Sequence, residues 1–125
     1  MSPRAIEAVD TKEFQATAIR QVTSLAVTLT GTADSHSRRE FDDFVTRVHD
    51  QAKKLKVKEV TVDLRGLEFM NSACFKSMLQ WVSAIQRLDP DDQYGLRLIS
   101  NNDMYWQRRS LHALRCFATE LITVE

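Results

Sequence analysis

Residues 60–79 read VTVDLRGLEFMNSACFKSML, and this stretch decides the fold. Val60, Val62 and Leu64 alternate with Thr61 and Asp63, the period of a strand with one apolar face. Gly66 is expected to end that strand. Leu67, Phe69 and Met70 then lead into Asn71-Ser72, two residue types that cap a helix N-terminus well. Beyond them the period changes. Phe75, Met78, Leu79, Val82 and Ile85 form one helical stripe, widened by Cys74, Trp81 and Leu88. A stripe that broad predicts a helix that is deeply buried or shows part of its surface to a partner. Asp89-Pro90-Asp91-Asp92 ends it.

The same two periods extend outward in both directions. Phe14–Arg20 reads as a short strand and Arg20-Gln21 as a turn or bulge. Val22–Thr30 is rich in β-branched residues, with Leu25, Val27 and Leu29 on one face. Gly31 is expected to interrupt it, and Thr32-Ala33-Asp34-Ser35 supplies loop and capping chemistry. From Ser37, the residues Phe41, Phe44, Val45, Val48, Ala52 and Leu55 recur at helical spacing. The spacing predicts a helix of about four turns, with acids (Glu40, Asp42, Asp43) early and Lys53, Lys54 and Lys56 late, as the helix dipole favours. Downstream, Gly95–Ser100 is a strand, Asn101-Asn102-Asp103 caps a helix over Met104–Leu114, and Leu121–Val124 is a last strand. The element order is β-β-α-β-α-β-α-β. It predicts a single α/β domain over residues 12–125, a mixed sheet packed against amphipathic helices, with residues 1–11 loose.

Composition bounds the function. The chain has 125 residues, 43% hydrophobic and 27% charged, and its 17 Lys+Arg balance 17 Asp+Glu. That balance supplies no global field to collect nucleic acid or an anionic membrane. The apolar runs are too short for direct membrane insertion, and MSPRAIEAVD lacks the apolar stretch of a signal peptide. Cys74 and Cys116 are the two cysteines, with no CxxC and no clustered histidine. A cytoplasmic protein without a disulfide framework, metal or cofactor is the expectation. Three scattered glycines build no phosphate loop. His36, His49 and His112 read as surface or boundary residues, Asp63 as a strand-end residue, and Glu68 as solvated. Arg108, Arg109 and Arg115 give the third helix a positive face. No base can be named for Cys74 as a nucleophile, so no enzyme is expected.

Ser72 stands out by position. A serine where a strand gives way to a helix displays its hydroxyl beside unpaired backbone N–H groups and the positive end of the helix dipole. A phosphoryl group there would be accommodated, and would add about −2 of charge.

VTVDLRGLEFMNSACFKSML resembles the core signature of STAS domains, the fold of bacterial anti-sigma-factor antagonists and of the cytoplasmic tails of sulphate transporters. Asp63-Leu64, Gly66, Phe69-Met70 and Ser72 match that signature in order, and LAVTLTGTAD resembles the family's second strand ending in Gly-x-x-Asp, here Gly31 and Asp34. The resemblance covers residues 12–124. Asn71 replaces the acidic residue before the family's phosphorylatable serine, and Cys74 replaces its usual glycine. The resemblance implies a partner-switching regulator in which Ser72 is the phosphorylation site and Asn71, Ala73, Cys74, Phe75 and Lys76 bind the partner. The implied partners are a serine kinase/anti-sigma factor and a PP2C-type phosphatase. The alternative is a scaffold that is not phosphorylated, regulating a signalling enzyme or a transporter complex as a subunit, for which Trp81 and the wide helical stripe would carry the contact.

Overall fold

The computed structural model describes residues 6–125. The elements are β1 (Val9–Asp10), β2 (Phe14–Arg20), β3 (Ser24–Ala33), α1 (Arg38–Leu55), β4 (Glu59–Met70), α2 (Ser72–Gln86), β5 (Gly95–Ile99), α3 (Tyr105–Cys116) and β6 (Ile122–Val124). Strands stand in the sheet in chain order, β1 to β6. β1, β2 and β3 pair antiparallel, and β3 to β6 pair parallel. This is the mixed sheet that the element order predicts. Of the segment expected to be loose, residues 1–5 lie outside the described residues, and Val9–Asp10 pair with Ala16 and Gln15 of β2.

Each helix-bearing connection steps the same way across the sheet. Right-handed crossovers then place α1, α2 and α3 on one face, where α1 meets α2 and α2 meets α3. The register builds the core under them. Leu25, Val60, Leu96 and Ile122 form one row across four strands, and Val27, Val62, Leu98 and Val124 the next. All but half-exposed Val124 are buried. The intervening rows, such as Ala26–Thr61–Arg97–Thr123, occupy the opposite face. From α1 the stripe Phe41, Phe44, Val45, Val48 and Ala52 is buried as its spacing predicts. The helix runs for 18 residues, about five turns rather than four.

Two strands are longer than the sequence implies, and the glycines that were expected to end them are the reason. Gly31 adopts φ +88°, and a Cβ there would lie 2.2 Å from the Glu13 carbonyl oxygen. Glycine therefore accommodates an irregularity that any other residue would oppose. The β3–β4 register shifts on either side of it, and pairing continues to Ala33 with Met70. β4 likewise passes through Gly66, which pairs with Thr30. Leu67 and Met70, read as loop, are strand residues facing the core. The extension fixes the takeoff point of α2.

Candidate functional site

The segment from Leu64 to Ser77 is held from three sides. First, β4 leaves β5 after the Asp63–Ile99 pair, so the carbonyls of Leu64 and Leu67 need partners elsewhere. Gln107 of α3, fully buried, supplies both. Its Nε2 donates to Leu64 O at 2.6 Å and to Leu67 O at 3.0 Å, while its Oε1 accepts from Asn101 N at 2.7 Å. Second, Asn71 N donates to Ala33 O at 2.8 Å, tying the start of α2 to the end of β3. Third, Asn71 Oδ1 accepts from Cys74 N at 2.9 Å, an N-cap in the extended conformation that capping requires.

Ser72 is the first residue of the helix and is exposed. Among the described residues nothing hydrogen-bonds its hydroxyl, and neither Ser72 N nor Ala73 N finds an acceptor. Two free N–H groups at the positive end of α2 therefore flank an unengaged, exposed hydroxyl. α2 contains no acidic residue, and Lys76 is exposed one turn on. Asn71, Ala73 and Phe75 are half-buried. Five of the six site residues read from the sequence thus present at least part of their surface.

Cys74 does not. It is 0% exposed, with Sγ 3.8 Å from Asp34 O, so it lies beneath the surface and not on a contact rim. Burial, with Asp34 nearby, pushes its thiol pKa up to about 11. The position at which the resemblance implies a glycine holds a packing residue that faces inward.

The broad stripe of α2 resolves in the same direction. Trp81 is buried, so it is not a docking residue on the surface. Its Nε1–H donates to Tyr94 Oη at 2.8 Å, and that hydroxyl lies 2.6 Å from His49 Nδ1 on α1. Indole nitrogen only donates. Tyr94 Oη accepts from it, and its own O–H can donate to Nδ1 only while His49 is neutral with its proton on Nε2. Burial, followed by the charge of Lys53, lowers the His49 pKa, consistent with that arrangement. Phe75, Leu79 and Leu88 are the stripe residues only partly covered. Asp63 accepts from the Arg65 backbone N–H and guanidinium, and the guanidinium holds its carboxyl below the usual range. Glu68 is exposed.

Gln107 and Tyr94 were not singled out in the sequence. A glutamine beside two arginines carries no sign of burial, and Tyr94 sits among polar loop residues. Only the spatial neighbours reveal either.

With this geometry in view, comparisons place the fold. No family model and no curated protein matches the sequence. The crystal structure of an anti-sigma factor antagonist from Mycobacterium paratuberculosis superposes with a TM-score of 0.65 at 12% identity, covering 89% of this chain and 84% of that one. The NMR structure of the protein TM1081 superposes at 0.61 with 13% identity, covering 100% of this chain and 90% of that one. The chain has a STAS-like fold, the fold of that anti-sigma factor antagonist. Among the described residues no helix is long and apolar enough to cross a membrane.

Proposed function

We propose that this protein regulates a partner protein by binding it through the surface around Ser72, and that phosphorylation of Ser72 ends the binding. The observation that carries the reading is the unengaged hydroxyl at the N-terminus of α2, exposed between free backbone N–H groups. A kinase needs an accessible oxygen, and the helix end accommodates the phosphate that results. The phosphate then brings about −2 of charge and a hydration shell into an interface that must be desolvated to form. The fitting partners are a serine kinase of the anti-sigma type and a PP2C-type phosphatase that restores the hydroxyl. The reading makes the protein a non-catalytic, cytoplasmic, bacterial switch.

A second reading keeps the binding and drops the switch. Asn71 caps α2 without the charge of the family's acidic residue, and such a domain would serve as a constitutive scaffold for a signalling enzyme or a transporter subunit. One experiment separates the two. Intact mass of the protein from its native host reports any phosphoryl group, and binding of the co-purified partner is compared for Ser72→Ala and Ser72→Asp. Loss of binding with Asp alone supports the switch. Equal binding by both variants supports the scaffold.

A further inference from the structure

We propose that the groove between α2 and α3 is the seat of an acidic segment of the partner protein, anchored by an apolar side chain. The groove is an open trough of about 360 Å³ lined by Phe75, Tyr105, Trp106, Arg109, Ser110 and Ala113. Three of the six lining residues are aromatic, and Tyr105 remains 64% exposed. Phe75 and Trp106 are half-buried beside it. Arg109 is the one charged residue in the lining. Its guanidinium and that of Arg108 lie 5.8 and 5.7 Å from the Tyr105 ring centroid, stacked on the ring face. Among the described residues neither arginine has a carboxylate partner. Two unpaired arginines held on an aromatic platform select carboxylates and planar acidic groups. The aromatic walls of the trough select an apolar anchor beside them. Trp106 adds an indole N–H that is shielded from water and has no acceptor among the described residues.

This inference rests on the reading of Ser72 as the edge of a partner surface, and it deepens it by naming the partner's chemistry. Phe75 belongs both to the groove and to the helical turn that begins at Ser72. A phosphate on Ser72, one turn before Phe75, would add negative charge on the side of α2 that carries the groove and repel the acidic segment.

The test is a titration of 15N-labelled protein with a short peptide carrying one Trp and one Leu among glutamates, and with its lysine-for-glutamate counterpart. The glutamate peptide is expected to shift the amides of Phe75 and Tyr105 and the indole N–H of Trp106. The exposed double substitution Arg108→Glu with Arg109→Glu should weaken it at least tenfold while leaving the rest of the amide spectrum in place. Equal binding of the lysine peptide overturns the proposal, as do shifts that map outside the groove and no shift at millimolar peptide. Tighter occupation of these residues by a single-stranded oligonucleotide or by phosphatidylserine vesicles also overturns it. The same titration with Ser72→Glu separates the two claims. Undiminished binding by that variant contradicts the switch at Ser72 and leaves the groove standing.

Discussion

Cys74 and Cys116 have the same chemistry and opposite environments, the first buried and the second exposed. Burial raises the Cys74 thiol to about 11, so almost none of it is thiolate at neutral pH, and thiolate is the reactive form. Iodoacetamide at pH 7.5 is expected to label Cys116 and spare Cys74, with both labelled in denaturant; peptide mass mapping reads the result. Rapid native labelling of Cys74 would mean that α2 does not sit where the structure places it. Residue-scale reading of the sequence succeeded at Asn71, whose cap follows from residue type and local position. It failed to decide Cys74, because a cysteine in the first turn of a helix points outward or inward according to how the helix is rolled. The apolar count of α2 left that roll open, and contacts with Asp34 and α1 decide it.

At the scale of elements, α1 and α2 are joined through His49, Tyr94 and Trp81. His49 is lowered below its usual 6.5 by burial and then by Lys53, with Arg87 acting in the same direction and Asp50 against. A histidine whose folded-state pKa is depressed contributes its stability in full above about pH 6.5 and loses it as pH falls through the folded value, because the unfolded chain takes up the proton first. Urea unfolding at pH 7.5 and 5.5 should show a drop in stability for the native protein and a smaller drop for His49→Gln. Identical pH dependence in the two proteins would contradict a His49 pKa lowered by folding.

Gln107 ties α3 to the irregular end of β4. In Gln107→Leu the carbonyls of Leu64 and Leu67 and the Asn101 N–H lose their partners, a loss on the order of 3 kcal/mol given ~1–3 kcal/mol for each buried orphan. A lower urea midpoint with unchanged slope would register it. A change below about 0.5 kcal/mol, the scale of a surface substitution, would show that the clamp is not needed. Element identity was legible because apolar period separates strands from helices along most of the chain. Element ends at Gly31 and Gly66 were not. Glycine marks both a strand's end and a bulge within it, and only the partner strand distinguishes them.

Over the whole molecule, all three helices cover one face of the sheet, and charges balance at zero. The described ion pairs lie at least partly in water, where each is worth about 0–1 kcal/mol. Stability therefore comes from the two buried rows that cross β3 to β6 and from the helical stripes above them. That architecture was readable from element order, since parallel strands separated by helices permit few arrangements. The surface was harder to read. The groove between α2 and α3 joins residues about thirty positions apart, and no period in the sequence links Phe75 to Tyr105, Trp106 and Arg109. The role proposed for the Ser72 hydroxyl can be interrogated directly. Calorimetric titration of the partner recovered from the native host should be run against this protein with serine, and then with phosphoserine installed, at position 72. The account predicts binding weakened at least a hundredfold by the phosphate, close to 3 kcal/mol. Equal affinity for the two forms would contradict it.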